Sequence, residues 1–203
     1  MDDLEAAVDL TNIRSTHDIG EGDMTIARMR MFWTEPERTI ATDNWCITDA
    51  ASRLVAYADY SEYPPFVENG FDYAIHPSHT GLGLEQAIFD IAEARARQSL
   101  HKAPPGEKVT FETHIWSTNV ADQALLTAHG YQHVRTWNRM LIEMTAPPPQ
   151  LTWPDGISVR TLRPGEIDAV HAAWEDAQRD EHGFSSLTPE EFRRYLAEEE
   201  ENF

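Results

Sequence analysis

Between Phe71 and Leu84 the chain changes character twice within fourteen residues. Phe71-Asp72-Tyr73-Ala74-Ile75-His76 reads as a strand, Pro77-Ser78-His79-Thr80 as a turn, and Gly81-Leu82-Gly83-Leu84 as a glycine loop opening a helix. Glycine reaches positive φ without steric cost and lets the backbone approach a ligand closely. The start of a helix offers unpaired N–H groups and a partial positive charge, a setting that suits a phosphate. The same residues also suffice for a tight strand-to-helix turn with no ligand, and spacing alone leaves both readings open.

Helical and strand periods alternate around this stretch. Leu4, Ala7, Val8 and Thr11 recur at helical spacing behind an acidic start, and Met24 to Phe32 is a second apolar helix. Trp45–Thr48 and Leu54–Tyr60 read as strands, joined through Asp49-Ala50-Ala51-Ser52-Arg53 into a hairpin. Leu84, Ala87, Ile88, Ile91 and Ala92 form an amphipathic helical stripe. Val109, Phe111, Thr113 and Ile115 alternate as a strand with one buried face. Val120, Ala124, Leu125 and Ala128 predict a helix closed by Gly130, and residues 134–144 predict a last, long strand.

Ala146-Pro147-Pro148-Pro149-Gln150 sets a boundary, because consecutive prolines lack N–H donors and favour extended geometry. The expected division is a first domain at 1–146, a proline-rich linker at 147–156, and residues 157–203 beyond it. Ile157–Leu162 predicts a strand. Ile167, Val170 and Trp174 mark a helix, and Pro189–Leu196 marks another with Thr188 as its cap. Asp3-Leu4-Glu5-Ala6-Ala7 and Glu166-Ile167-Asp168-Ala169-Val170 share an acidic-apolar pattern, pointing to duplication. Residues 157–203 then read as the opening of a second copy, and the first copy lacks the strand that precedes the helix in the second. About 50 residues rarely fold alone, so this piece is expected to dock on the first domain or on another chain, a homodimer included.

Composition narrows the partners. Sixteen Lys plus Arg stand against 35 Asp plus Glu, for a formal charge of −19. Such a surface repels phosphate backbones, which argues against nucleic acid. One cysteine, Cys46, excludes an intramolecular disulfide and a multi-cysteine zinc site. No apolar run approaches the roughly 18 residues of a membrane span, and Met1-Asp2-Asp3-Leu4-Glu5 is acidic where a secretory leader is basic. A cytoplasmic protein is the expectation.

The Thr80-Gly81-Leu82-Gly83-Leu84-Glu85 loop resembles the pyrophosphate loop of the GNAT acyltransferase superfamily, Arg/Gln-x-x-Gly-x-Gly/Ala after the fourth strand. Asn119, Leu125-Leu126 and Gly130-Tyr131 resemble a second signature of that family, Asn-x-x-Ala-x-x-Leu-Tyr-x-x-x-Gly-Phe. The resemblance spans residues 2 to 144 in element order. It implies an α+β fold of α/β/α layers, with a mixed, mostly antiparallel sheet whose central strand pair splays. The layout past the prolines resembles two-copy members of the mycothiol synthase type, where one copy can bind coenzyme while the other catalyses. By the same resemblance acetyl-CoA is the acyl donor. Its binding residues would be Tyr73, Ala74, Ile75, Thr80, Gly81, Leu82, Gly83, Leu84, Glu85, Asn119 and Leu126.

Departures from the family pattern bear on activity. Thr80 replaces an Arg or Gln donor, and Glu85 brings a carboxylate that competes with phosphates for the same N–H groups. Asp122 replaces an Ala. Leu126 replaces the Tyr that protonates the leaving thiolate in many members, and leucine has no proton to give. Tyr131, nearby in sequence, is a candidate catalytic residue and also stands at a position usually held by a core Phe. Glu68, Asp72, Glu112 and His114 are candidates to deprotonate an amine, and each also reads as a solvent-facing strand residue. His76-x-x-His79 and His129-x-x-x-His133 lack a carboxylate or thiol in a recognised metal arrangement, so no metal is expected. Cys46, between Trp45 and Ile47, reads as a buried, inert thiol. The expected activity is transfer of an acetyl group to a primary amine of a small molecule or peptide, by direct attack in a ternary complex. The alternative is a silent module that binds coenzyme or mediates assembly.

Overall fold

The computed structural model describes residues 3–201 except 37, 164, 182, 183 and 185. The chain separates into two compact units, residues 1–132 and 133–203.

The first unit opens with α1 (Leu4–Ile19) and α2 (Ile26–Trp33). Gly20 ends α1 in the left-handed region at φ +85°, its N–H donating to the Thr16 carbonyl. Thr25 caps α2 by accepting from the Arg28 N–H at 3.1 Å. A single turn, α3 (Ile40–Asp43), leads into β1 (Asn44–Thr48) and β2 (Leu54–Glu62). This hairpin is the expected one, with Cys46 opposite Tyr57. The Asp49 side chain organises its turn by accepting from the N–H groups of Ala51 and Arg53 at 2.9 and 3.0 Å.

β3 (Glu68–Ile75) pairs antiparallel with β2, and β4 (Thr110–Glu112) pairs parallel with β3. The sheet order is β1-β2-β3-β4. Between β3 and β4 lies α4 (Leu84–Ser99), and α5 (Val120–Ala128) follows β4. Alternation along the strands sorts two cores onto opposite faces. Tyr57 and Ala74 pack with Leu4, Ala7, Val8, Leu10, Met29 and Trp33 of α1 and α2. Ala56, Ala58, Phe71 and Ile75 pack with Ile88, Phe89 and Ala92 of α4 and Leu126 of α5. The small Ala56 and Ala58 admit α4 closely, and Phe89 is wholly buried there. The result is the layered α+β fold expected.

Several local expectations are corrected. β4 is three residues long, because only Thr110–Glu112 keep register with β3. On α4, Ala87 and Ile91 are exposed and Phe89 is buried, so the inward face is rotated toward Phe89. On α5 the inward residues are Asp122 and Leu126, while Val120, Ala124 and Ala128 are exposed. Asp122 finds polar partners inside, and these turn the helix. Cys46 is exposed, since Trp45 and Ile47 take the face toward α4.

The second unit holds α6 (Ile167–Gln178) and α7 (Pro189–Glu201). They join through Trp174 and His171, whose rings lie 5.4 and 4.9 Å from that of buried Phe192. Neither 134–144 nor 157–162 is a strand. Their apolar side chains are exposed, Met140 at 91% and Ile142 at 80%. Alternation alone cannot form a strand; a ladder partner is required. α1 and α6 start at equivalent places of the repeated motif. Asp3 and Glu166 are both N-caps, with φ/ψ of −95°/0° and −93°/−3°.

Candidate functional site

β3 and β4 run together through Glu68↔Thr110, Asn69↔Phe111 and Gly70↔Glu112, and then part. Gly70 sits at the last shared position, where an added Cβ would lie 3.2 Å from Ser61 Oγ and 3.6 Å from the Glu112 carbonyl. β3 continues alone to Ile75. Its end is tied to β2 by the His76 N–H, which donates to the Val55 carbonyl at 2.9 Å.

The turn then closes on itself. His76 Nδ1 accepts from the Ser78 N–H at 3.2 Å, and Thr80 Oγ1 donates to the Pro77 carbonyl at 3.0 Å. Gly81 and Gly83 hold φ of +73° and +89° with open space where a Cβ would stand, so conformation rather than crowding requires glycine. Leu82 is 69% exposed. The first amides of α4, at Leu84, Glu85 and Gln86, have no partner within the helix. One loop donor is already engaged: the Gly81 N–H donates to Glu85 Oε1 at 2.8 Å, and Glu85 is 3% exposed.

Past the parting point, polar groups line both faces. On the α5 side, Tyr73 Oη donates to Asp122 Oδ2 at 2.9 Å. Asn119 caps α5, accepting from the Asp122 N–H at 3.1 Å while its Nδ2 donates to Asp122 Oδ2 at 2.7 Å. Arg14 Nη2 of α1 reaches the same oxygen at 3.4 Å. Burial, reinforced by Asp122, holds the Tyr73 phenol well above its usual range. Ala74 and Ile75 are buried.

On the α1 side of the sheet, His114 Nδ1 stands 3.7 Å from Asp72 Oδ1, a charge contact across the gap rather than a hydrogen bond. Asp72 raises the His114 pKa above its ordinary value, and Glu112 adds to the effect. Asp72 in turn faces Asp59 of β2 in the ladder. Asp59 is bound by Arg38 Nη1 at 2.7 Å, yet burial, which outweighs Arg38, and repulsion from Asp72 push it up to about 6.

Asp72, Glu112 and His114 thus gather on one side of the opening, whereas Glu68 is exposed at the start of β3, at the paired end. Leu126 is 8% exposed and packed in the core. Tyr131 lies against Phe71, Phe89 and Phe111, with its hydroxyl 3.5 Å from Glu93 Oε1 of α4. Burial, followed by Glu93, raises its pKa. Thr80 is exposed, and its hydroxyl is spent within the turn. The Cys46 thiol is pushed up by partial burial and by Asp3, so it resists ionisation although it is exposed. Sequence reasoning missed Arg14 and the buried role of Asp122. The one available signal was an acidic residue at the third helical position of α5, where an N-cap amide waits.

No protein-family model matches the chain. Similarity to individual proteins is clear. The chain is 28% identical over 153 residues to a mycothiol acetyltransferase of Acidothermus cellulolyticus, covering 75% of this chain and 43% of the relative. It is 29% identical over 128 residues to the mycothiol acetyltransferase of Streptomyces coelicolor, covering 63% and 38%. The chain therefore spans about two-fifths of the length of these curated relatives. The crystal structure of a GCN5-related N-acetyltransferase from Sphaerobacter thermophilus superposes with a TM-score of 0.78 at 25% identity, covering 97% of this chain and 59% of that one. With sequence similarity to mycothiol acetyltransferases over most of its length and a fold shared with a GCN5-related N-acetyltransferase over nearly all of it, the chain has the GNAT fold.

Proposed function

We propose that the first unit is an acyl-CoA-binding module that transfers an acetyl group from acetyl-CoA to a primary amine of a small molecule or peptide. The observation that carries this reading is the parting of β3 and β4 after Gly70, directly upstream of the Gly81/Gly83 turn into α4. The turn and the first amides of α4 hold the diphosphate. The thioester lies along Tyr73, Ala74 and Ile75, whose backbone amides polarise its carbonyl. Asp72 with His114, aided by Glu112, takes the ammonium proton, and the free amine attacks the carbonyl carbon. The attacking nitrogen gives up its second proton to water as the carbon–sulfur bond breaks, and the thiolate takes a proton from solvent because Leu126 offers none. Much of the rate comes from holding two reactants together. The charge of −19 favours a cationic amine, within a screening length of about 8 Å.

Residues 157–203 are, in this reading, the opening of a second copy of the fold. The matching helix starts of α1 and α6 support it.

Two observations favour the silent-module alternative: the Gly81 amide is engaged by Glu85, and buried Leu126 stands where the usual proton donor would be. Calorimetry with acetyl-CoA, alongside a thiol-release assay over an amine panel, separates the readings. Binding with turnover supports the transferase, and binding without turnover supports the silent module. Gly83→Trp, which forces a bulky residue into φ +89°, is expected to abolish binding. Turnover that survives it overturns the assigned loop.

A further inference from the structure

We propose that two of the chain's own carboxylates, Glu85 and Asp122, occupy the coenzyme's place in the cleft, so that an acyl-CoA enters only by displacing them. The inference rests on the acyl-CoA reading above and adds what sets the affinity.

Glu85 reaches back four residues to take the Gly81 N–H at 2.8 Å, and it is 3% exposed although the loop around it lies open. A carboxylate in the first turn is favoured by the helix dipole and makes a charge-assisted bond to the amide. It satisfies the donor that a diphosphate oxygen needs and leaves a fixed negative charge beside the others. The loop is thus closed by an internal anion.

Asp122 plays the matching part between the strands. By Tyr73 the two strands have already parted, and α5 is the helix that follows β4. Tyr73, Asn119 and Arg14 converge on the single oxygen Oδ2 of Asp122, at 2.9, 2.7 and 3.4 Å, and Asp122 is 4% exposed. Side chains from β3, α5 and α1 therefore meet on one carboxylate beyond the point where β3 and β4 part. A pantetheine arm passing between the strands breaks the Tyr73–Asp122 bond and leaves a buried carboxylate to be resatisfied.

The two positions read different parts of the ligand, which makes them separable. Calorimetry on the 203-residue chain uses coenzyme A, which reports on loop and gap together, and ADP, whose diphosphate reports on the loop alone. Glu85→Ala is expected to tighten both ligands about tenfold. Glu85→Gln, which keeps an acceptor for the amide and loses only the charge, falls between it and the parent. Asp122→Ala tightens coenzyme A and leaves ADP unchanged, and Asp122→Asn gives a smaller gain with the Tyr73 and Asn119 contacts kept. Thermal melts by circular dichroism verify each variant as folded. Coenzyme A bound equally well by the parent and both Glu85 variants overturns the loop half and leaves the acyl-CoA reading standing. Coenzyme A affinity unchanged in both Asp122 variants overturns the gap half. No binding of either ligand by any variant overturns the proposal and the acyl-CoA reading together.

Discussion

At the scale of single residues, this protein is shaped by where it keeps its carboxylates. Asp59 and Asp72 face each other across the β2–β3 ladder. Arg38 draws the Asp59 pKa down, but burial outweighs it and Asp72 opposes it, leaving Asp59 near 6 against an ordinary 3.8. A carboxylate raised in the folded state binds its proton more tightly there than in the unfolded chain. Its contribution to stability is therefore fullest below about 3.8 and declines as pH rises toward 6. Carbon-13 titration of the Asp59 carboxyl is expected to show a midpoint near 6, and Asp72→Asn to lower it. A midpoint near 4 in the parent contradicts the buried pairing. The prediction concerns residues invisible as a pair in sequence, because strand register alone brings them opposite each other.

At the scale of elements, α4 carries the most. Phe89 is fully buried and stacks edge-on against Phe71 at 5.7 Å and Tyr73 at 5.5 Å. Phe89→Ala is expected to cost about 3–5 kcal/mol in a denaturant melt. A loss under about 1 kcal/mol shows that α4 is not seated as described. Because Phe71 and Tyr73 belong to β3 beyond the parting point, the same substitution also loosens the wall of the cleft. Periodicity reveals α4 as a helix, since Leu84, Ile88 and Ala92 keep helical spacing. It does not reveal which way the helix faces. Phe89 lies next to that stripe, and the sheet surface beneath decides the rotation.

For the whole first unit, a charge network pins one end of the sheet to both α3 and α4. Arg95 bridges Asp43 at 2.7 Å and Glu62 at 3.1 Å, lies over the Tyr60 ring at 4.5 Å and bonds Ser99. Burial pushes Glu62 up, and the bonds from Lys102, Ser99 and Arg95 more than offset it, so its pKa is lowered from 4.5. A carboxylate lowered in the folded state lends stability that is present above its ordinary pKa and lost as pH falls below it. Acid unfolding is therefore expected to steepen below about pH 4.5 in the parent and to flatten in Glu62→Gln. At neutral pH that variant loses about 1–3 kcal/mol, because Arg95 gives up one charge-assisted partner while Asp43 still pairs it. Parallel acid-unfolding curves for the two proteins sink the assignment. Among the described residues no helix is long and apolar enough to cross a membrane.

By itself the sequence determined the longer helices, the hairpin and the glycine turn. Each depends on residues within a few positions of one another, through side-chain period, turn chemistry and the φ that glycine permits. Only the tertiary structure decided what required a distant partner. The signals at 134–144 and 157–162 carry strand alternation, but no ladder partner meets them and they remain without strand structure. β4 is cut to three residues because its neighbour parts from it. Arg14 and Asp122 are 108 positions apart. Nothing local to either forecasts their contact, because it exists only once the sheet has brought α1 and α5 to the same opening.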